Sequence, residues 1–260
     1  MLFDTHCHLD DPRFDPDRHE VIAALGAGGV ALAVNAGADA KTSAMGRELA
    51  HRYPFLYFTA GIHPGEVGAA GPEDLAAVEA LLGDEKAVAL GEIGLDYHYD
   101  DNPPRSVQQA WFRCQLELAL RLHKPVVIHS RDAAQDTMDI LRPYRGRLRG
   151  ELHCFSGSWE MAKAYLDMGF YLSFCGSVTF KNAAKLPEIA AKMPLDRLLI
   201  ETDSPYMAPV PFRGKRNDPR NVREVARRIA ELRGLPYEEL CRATLANGLR
   251  FFGIPAQQGR

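Results

Sequence analysis

Near its start the chain reads Phe3-Asp4-Thr5-His6-Cys7-His8-Leu9-Asp10, which predicts a short strand that ends in two histidines. Side chains alternate between the two faces of a strand, so His6 and His8 point the same way and Cys7 points the opposite way. Two imidazoles on one face can hold one divalent metal ion, because histidine is the commonest metal ligand near neutral pH. A single His-x-His motif is weak, and it predicts a metal site only if the rest of the chain brings further ligands.

The length and composition of the chain are those of a globular protein. It has 260 residues, of which 46% are hydrophobic and 25% are charged. A barrel of eight β/α units needs ~250 residues, so one barrel would use the whole chain, and we expect residues 1–260 to form a single domain. The formal net charge of −3 excludes a global positive field, so any charge that binds phosphate must be local.

The cysteines and the N-terminal sequence predict a cytoplasmic protein. Its five cysteines are widely spaced and form no Cys-x-x-Cys pair, which favours reduced thiols. Cys7 and Cys154 each follow a candidate histidine, and strand alternation is expected to turn both away from the site, so neither is predicted to bind metal. The first residues are acidic and are not expected to be a secretory signal, and a glycine-rich turn within the uncharged stretch Val21–Ala38 favours a buried strand over a membrane span. We expect a monomer without membrane association.

Short apolar runs alternate with helical patterns along the whole chain, which is typical of a parallel sheet. The eight predicted strands are Leu2–Thr5, Val30–Ala36, Leu56–Ile62, Ala87–Ile93, Pro125–Ser130, Glu151–Phe155, Phe170–Cys175 and Arg197–Thr202. Eight units in this length predict a closed (β/α)8 TIM barrel. The alternative is an open doubly wound sheet, which usually has fewer strands, and no Gly-x-Gly-x-x-Gly follows the first strand.

Polar residues follow most of these strands at the point where each strand ends. They are His6, His8, His63, Glu92, His129, His153 and Asp203. The carboxyl ends of barrel strands are where active sites are built. Any one of these residues could be a satisfied core side chain, but burying all of them without a metal would leave several polar groups unpaired, at roughly 1–3 kcal/mol each. Their number and placement predict a metal centre.

The number of ligands predicts two ions rather than one, because a single zinc uses three or four protein ligands. We assign His6, His8 and Asp203 to one ion, and His129 and His153 to the other. Glu92 has two carboxylate oxygens and is predicted to bridge the ions, which would lie ~3.5–4 Å apart. Divalent ions make bound water a nucleophile near neutral pH. Asp203 is predicted to be the general base, so Glu92 and Asp203 are the expected catalytic residues.

Seven motifs, taken together, resemble the TatD family of metal-dependent hydrolases, within the wider amidohydrolase-like barrels, along essentially the whole chain. They are Phe3-Asp4-Thr5-His6-Cys7-His8, Gly61-Ile62-His63-Pro64, Gly91-Glu92-Ile93-Gly94-Leu95-Asp96-Tyr97, Val127-Ile128-His129-Ser130-Arg131, His153-Cys154-Phe155-Ser156-Gly157, Glu201-Thr202-Asp203-Ser204-Pro205-Tyr206 and Arg213-Gly214-Lys215-Arg216-Asn217-Asp218-Pro219. The resemblance implies a deoxyribonuclease that acts 3′→5′ on single strands with magnesium or manganese. The histidine-rich ligand set by itself favours zinc.

Candidate substrate contacts lie beside the predicted ligands. Arg131 follows His129, and four basic residues follow Asp203: Arg213, Lys215, Arg216 and Arg220. They could neutralise a phosphate, or they could lie on a solvated loop. His63 is predicted either to donate to a phosphate or to complete a third metal site. Asp96 and Tyr97 are expected to orient substrate.

Three functions compete on the residues alone. They are phosphodiester hydrolysis of nucleic acid, hydrolysis of a small cyclic amide or ester on the same metal pair, and a non-catalytic metal-binding scaffold. Many cyclic-amide hydrolases bridge their metals with a modified lysine at the fourth strand, where this chain has Glu92. The predicted base Asp203 argues against a scaffold. We therefore expect a nuclease with single-stranded nucleic acid as its substrate.

Overall fold

A cylinder of eight parallel strands forms the centre of the computed structural model, which describes residues 1–183 and 185–255. Each strand pairs with the next one along the chain. The strands are β1 (Leu2–Cys7), β2 (Val30–Ala36), β3 (Leu56–Ala60), β4 (Ala87–Asp96), β5 (Val126–Arg131), β6 (Gly150–Leu152), β7 (Tyr171–Phe174) and β8 (Leu198–Ile200). The predicted (β/α)8 barrel is thereby confirmed, whereas the extent of the single domain, residues 1–260, stays a prediction.

Helices follow the strands and pack around the outside of the barrel. They are α1 (Arg18–Ala23), α2 (Ala40–Arg52), α3 (Pro72–Leu82), α4 (Arg105–Leu122), α5 (Ala134–Leu141), α6 (Trp159–Asp167), α7 (Leu186–Lys192), α8 (Val222–Arg233) and α9 (Tyr237–Phe252). Local sequence sets their ends: the Asp39 carboxylate accepts the backbone N–H of Thr42 at the start of α2, and Gly234 ends α8 with a φ of 63°. Among the described residues, no helix is both long and apolar enough to cross a bilayer.

Two backbone hydrogen bonds close the cylinder between β8 and β1. The Asp203 N–H donates to the His6 carbonyl at 2.9 Å, and the His8 N–H donates to the Ser204 carbonyl at 2.7 Å. Below them, the Asp4 carboxylate accepts from both the N–H and the hydroxyl of Thr202, at 2.8 and 2.6 Å. The closure therefore fixes the first predicted ligand pair beside Asp203.

The amino-terminal end of the barrel is filled by apolar side chains. Phe251 and Phe252 at the end of α9 pack against Phe3 and Tyr171 of the strands, with Phe251 5.2 Å from Tyr171 and Phe252 5.8 Å from Phe3 between ring centroids. The same buried cluster contains Leu32, Val34, Val88, Val127 and Leu199. Alternation along each strand turns these residues inward, and α9 covers the opening that they leave.

Several strand ends differ from the predicted ones. β4 continues to Asp96, because its pairing with β5 persists through Gly94, opposite His129, and on to Asp96, opposite Arg131. β6 ends at Leu152 and β8 at Ile200, earlier than expected. Cys154 and Asp203 follow these two strands with positive φ values of 41° and 55°, which interrupt the extended backbone. His153 and Asp203 therefore lie on turns rather than within strands.

Candidate metal centre

The six predicted metal ligands converge at the carboxyl end of the barrel. Their side chains come from β1, β4 and β5 and from the turns after β1, β6 and β8. His6 and Glu92 are almost fully buried, with side chains 1% and 5% exposed. The structure therefore brings together residues that are up to 197 positions apart in the sequence (203 minus 6).

The Glu92 carboxylate lies between two pairs of histidines. Its Oε2 is 3.3 Å from His6 Nε2 and 3.6 Å from His8 Nε2. Its Oε1 is 2.8 Å from His129 Nδ1 and 2.7 Å from His153 Nε2. Each carboxylate oxygen therefore faces its own pair of imidazole nitrogens, which is the arrangement expected of a carboxylate that bridges two ions.

The spacing within each pair fits one ion. His6 Nε2 and His8 Nε2 are 3.2 Å apart, and His129 Nδ1 and His153 Nε2 are 3.1 Å apart. Two nitrogens that each lie ~2.1 Å from one ion are separated by about 3–3.4 Å. Asp203 Oδ1 joins the first pair, 3.4 Å from His8 Nε2, so it completes a set of three nitrogen and oxygen ligands with His6 and His8.

The outer nitrogens of three histidines face oxygen atoms, which orients the rings. His8 Nδ1 lies 3.0 Å from the Ala36 carbonyl, and His129 Nε2 lies 3.1 Å from Asp96 Oδ2. His153 Nδ1 is 3.5 Å from Glu201 Oε1. Donation outward leaves an inner nitrogen with a lone pair. Lone pairs this close to the Glu92 oxygens repel unless a positive charge, either a proton or a metal ion, lies between them, so the donor set fits divalent cations.

The electrostatics of the pocket favour cations. Burial raises the pKa of Glu92, but the charge of His153 and hydrogen bonding to His129 outweigh burial and hold that pKa well below its usual value. Burial likewise opposes ionisation of Asp203, and hydrogen bonding to His8 lowers its pKa overall. Burial would lower the pKa of His8, yet Asp203 and Glu92 raise it to about 9. Both carboxylates are thus ionised at neutral pH.

His63 lies beside the four ligand histidines but faces the site differently. Its Nε2 is 3.7 Å from Glu92 Oε1, and its Nδ1 accepts the N–H of Gly65 at 3.0 Å. Burial lowers the pKa of His63 to about 3, so the ring is neutral and its one proton lies on Nε2. This tautomer fits the predicted hydrogen-bond donor, and the grouping of His63 with Asp96 and His129 fits the predicted third metal site.

The predicted substrate residues are divided by the structure. Asp96, Arg131 and Arg213 line a cavity of about 910 Å³ above the metal centre, together with His63. Tyr97 does not: its hydroxyl donates to Asp136 at 2.8 Å, outside the barrel. The structure therefore does not bring Tyr97 to the cavity, because it follows Asp96 at the end of β4 and points to the opposite face.

The basic side chains of the loop after Asp203 also point to different places. Lys215 lines the cavity beside Arg213. Arg216 instead pairs with Asp17 at 2.6 Å, and Arg220 pairs with Asp218 at 2.6 Å. Arg216 and Arg220 are therefore engaged by carboxylates, which removes them from the expected phosphate contacts.

The sequence reasoning missed several residues of the site. Glu201 lies beneath His153, and its Oε1 accepts the N–H of Cys154 at 2.6 Å. Alternation from Asp203 would have pointed to the strand position of Glu201, but the contact with β6 depends on the folded barrel. The cavity also has exposed aromatic walls, Tyr99 and Tyr206, whose loops have no periodicity that predicts their direction.

Cys7 lies as expected, since it belongs to the outer core and its thiol contacts the Val34 carbonyl at 3.3 Å. Cys154 lies closer to the site than expected, grouped with Cys175 and Glu201. The turn after β6 breaks the alternation on which that expectation rested. Cys154 nonetheless stays outside the two groups around Glu92 and Asp203.

Comparison with known proteins agrees with this geometry. The family model described as TatD related DNase matches residues 3–253. The uncharacterized metal-dependent hydrolase YabD of Bacillus subtilis is 45% identical over 255 residues, which cover 98% of this chain and 100% of that protein. The 3'-5' ssDNA/RNA exonuclease TatD of Salmonella typhimurium is 34% identical over 259 residues, 97% of this chain and 99% of that protein.

A solved structure is similar throughout. The crystal structure of YJJV, a TatD homolog from Escherichia coli K12, superimposes with a TM-score of 0.92 at 34% sequence identity. The match covers 98% of each chain. The similarity therefore includes the whole barrel as well as the end that carries the metal centre.

Proposed function

The chain belongs to the TatD related DNase family of metal-dependent hydrolases, and from that premise we propose that it hydrolyses phosphodiester bonds of single-stranded nucleic acid from the 3′ end. The observation that carries the proposal is the position of Glu92, whose two carboxylate oxygens each face a pair of histidine nitrogens. Paired divalent ions of this kind are a recurring device for in-line displacement at phosphorus.

We propose that two divalent ions bind here. His6, His8 and Asp203 would hold one, His129 and His153 the other, and Glu92 both. The nitrogen-rich set favours zinc on ligand type, whereas magnesium or manganese needs more oxygen ligands, which water would supply. The ions would supply a water nucleophile at neutral pH and neutralise charge on the phosphate.

The side chains of the chain itself carry the remaining steps. Asp203 takes up the proton of the attacking water, because its lowered pKa keeps it ionised at neutral pH. His63 donates a hydrogen bond from its Nε2–H to a non-bridging phosphate oxygen. Arg131 and Arg213 line the cavity above and neutralise the phosphate that is cut or its neighbour. Asp96 keeps His129 in the orientation that turns Nδ1 toward Glu92.

Action from an end follows from the small basic footprint. Arg131, Arg213 and Lys215 are the basic residues that line the cavity, and the formal net charge is −3. Binding that neutralises 2–3 phosphates of a single strand should give a slope of log affinity against log salt of about −1.4 to −2. The similar Salmonella protein is named a 3'-5' ssDNA/RNA exonuclease, which supports the proposed direction.

We further propose a cytoplasmic monomer. Its cysteines, Cys7, Cys114, Cys154, Cys175 and Cys241, are unpaired in the part of the chain that the structure describes, as expected of a reducing compartment. Size-exclusion chromatography with light scattering tests the monomer, and a mass near twice 28.8 kDa would contradict it.

The decisive experiment is a substrate panel with protein loaded with zinc, magnesium or manganese. It compares linear and circular single-stranded DNA, duplex DNA, single-stranded RNA and a cyclic amide. We expect linear single strands to be shortened from the 3′ end and the circle to survive. Cutting of the circle, or turnover of the amide alone, would contradict the proposed function. Salt dependence of binding, measured with Asp203→Asn, tests the footprint, and a slope near −5 would mean many more phosphate contacts.

A further inference from the structure

Two exposed tyrosines stand at the mouth of the barrel. Across residues 1–183 and 185–255, four large hydrophobic side chains are strongly exposed: Met1, Tyr99, Tyr206 and Val210. Tyr99 is 52% exposed and Tyr206 is 47% exposed, and both line the cavity above the metal centre. Scattered apolar side chains are normal on a surface, but two tyrosines around one cavity call for an explanation.

Tyr206 is held rigidly next to the first predicted ligand set. Its hydroxyl donates to Asp11 Oδ2 at 3.1 Å, and the guanidinium of Arg13 lies 4.0 Å from its ring centroid. Asp11 in turn pairs with Arg13 at 2.8 Å. The His8 ring packs edge to face with the Tyr206 ring, with 6.0 Å between the ring centroids. Arg13 covers one face of the Tyr206 ring, and 47% of Tyr206 remains exposed to solvent.

Tyr99 also contacts an arginine at the rim of the cavity. Arg131 Nη1 donates to the Tyr99 hydroxyl at 3.0 Å, and the Arg131 guanidinium lies 4.9 Å from the ring centroid. Arg131 ends β5, two residues after His129. Both tyrosines thus line the cavity above the metal centre, and each tyrosine has an arginine against its ring.

We propose that Tyr206 and Tyr99 are stacking platforms for two unpaired nucleobases, one on each side of the phosphodiester at the metal centre. The inference rests on the proposed function and names the part of the substrate that the cavity recognises. Every base has a π face, so such platforms tolerate any sequence. Arg131 keeps positive charge beside Tyr99, where one flanking phosphate would lie, whereas the charge of Arg13 is paired with Asp11.

The platforms also account for a preference for single strands. Bases in a duplex are already stacked on their neighbours, so a duplex end must be opened before two bases can reach two separate rings. Unpaired bases bear a smaller penalty. Fixed tyrosine rings lose little conformational freedom on binding, because their hydroxyls and guanidinium partners already hold them in place.

The test removes each ring face in turn. Tyr206→Leu and Tyr99→Leu are made in the Asp203→Asn background, which prevents cleavage, and binding of a fluorescent single strand is measured by anisotropy. We expect each leucine variant to weaken binding about 5- to 150-fold. Tyr206→Phe keeps the ring face and should restore most of the affinity.

Tyr57→Leu is the matched control. Tyr57 also lies under a cation, Lys86 Nζ at 4.4 Å from its centroid, and Lys86 contacts the Pro54 and Leu56 carbonyls at the opposite end of the barrel. Its replacement should leave affinity unchanged. Circular dichroism of every variant separates loss of a platform from loss of the fold.

A second measurement asks whether the rings contact bases. Strands that carry abasic residues at the last two 3′ positions should bind the parent protein weakly, and the leucine variants should lose little more on these strands. A 2-aminopurine at the same positions should be quenched by the parent and brighten in the variants. If the leucine substitutions lower the affinity for intact and abasic strands by the same factor, the rings hold loops in place rather than contact bases, and the inference is wrong. If the parent binds none of the strands and metal-loaded wild-type protein cuts none of them, the proposed function fails first, and the inference falls with it.

Discussion

The two ends of this barrel are built on the same strands and contain opposite chemistry. β1 carries Phe3 toward one end and His6 toward the other, and β5 carries Val127 and then His129. The amino-terminal end is closed by the aromatic rings of α9, whereas the carboxyl end holds carboxylates and histidines within hydrogen-bonding distance of one another. One end is complete as it stands, and the other is complete only with cations between its ligands.

This difference separates stability from function. Burial of aromatic surface contributes roughly 25 cal/mol for each Å² removed from water, so the amino-terminal end stabilises the fold. Burial of the ionised Glu92 and Asp203 side chains opposes folding unless their charge is compensated. Substitutions at the two ends should therefore change different measurements, and each prediction below compares them.

The largest effect is expected at Glu92 and Asp203. Glu92→Gln removes the shared ligand charge, and Asp203→Asn removes the proton acceptor. Loss of acid–base catalysis alone should lower turnover ~10²–10⁴-fold. Steady-state cleavage of a single strand measures the loss, and urea denaturation should show that each variant still unfolds cooperatively, as a folded domain does.

Retention of more than about a tenth of the activity, a loss below ~1.4 kcal/mol, would remove the assigned role from either residue. Metal analysis after titration separates the two variants further. Glu92→Gln should lower the occupancy of both ions, and a wild-type stoichiometry of one ion per chain at every concentration would contradict the two-ion proposal.

The second-largest effect is expected at the amino-terminal end of the barrel. Phe251 is fully buried and packs between Tyr171 and Phe252, with centroids at 5.2 and 4.7 Å. Phe251→Ala should lower the free energy of unfolding by about 3–5 kcal/mol, because it leaves a cavity in the apolar cluster at the amino-terminal end of the barrel. Chemical denaturation measures the change, while turnover per folded molecule should stay at the wild-type level.

A proportional fall in turnover would mean that the two ends are coupled. That outcome would contradict the separation of stability from function, since the apolar cluster at the amino-terminal end would then also position the metal ligands at the other end. Activity is measured well below the denaturation midpoint, so that unfolded protein does not account for the loss.

The sequence predicted the strands, the barrel and the set of candidate ligands for a common physical reason. Alternation along a strand and the end of an apolar run are local properties, and His6, His8 and Glu92 follow from them. The same reasoning did not predict the direction of Tyr97, because β4 runs three residues further than its apolar pattern indicates. A strand end set by pairing with its neighbour is not a local property.

Contacts between side chains on separate loops could not be predicted from the sequence. Arg216 pairs with Asp17, and Tyr206 contacts Asp11 and Arg13, across almost the whole length of the chain. Such contacts depend on closure of β8 against β1. Basic residues in the loop therefore gave the same local pattern whether they face the cavity, as Arg213 does, or a carboxylate, as Arg216 does.

Metal binding should stabilise the carboxyl end of the barrel and leave the packing at the amino-terminal end unaffected. A ligand present at 100 times its dissociation constant adds about 2.7 kcal/mol per site to the free energy of unfolding. We expect chelator-treated wild-type protein to gain thermal stability when zinc or manganese is added. Scanning calorimetry measures the shift in the unfolding temperature.

The control for metal stabilisation compares the two ends directly. Phe251→Ala should keep the metal-dependent shift, because its ligands are intact, and Glu92→Gln should lose most of it. An equal shift in wild-type protein and Glu92→Gln would mean that the ions bind elsewhere.

The smallest effect concerns an aspartate far from the centre. Asp84 lies between α3 and β4, where it accepts hydrogen bonds from Arg47 Nε at 2.7 Å and His51 Nε2 at 2.9 Å. Burial raises its pKa, but the N–H of Lys86 and these two partners outweigh burial and lower it to about 2. Because the folded pKa lies below the unfolded one, the ionised carboxylate stabilises the protein above about pH 4 and loses this effect as the pH falls toward 2.

Asp84→Asn should therefore lower the free energy of unfolding at pH 7 by about 1 kcal/mol, since Arg47 and His51 are half exposed and solvent screens the pairs. The difference from wild type, measured by urea denaturation, should shrink between pH 4 and pH 3. Turnover should be unchanged, in contrast to Asp203→Asn, which makes the same chemical substitution at the other end. A loss of stability that persists unchanged at pH 3 would mean that Asp84 acts through its shape and neutral hydrogen bonds. A loss of turnover would mean that charge at the closed end reaches the metal centre, and the separation of the two ends would then fail.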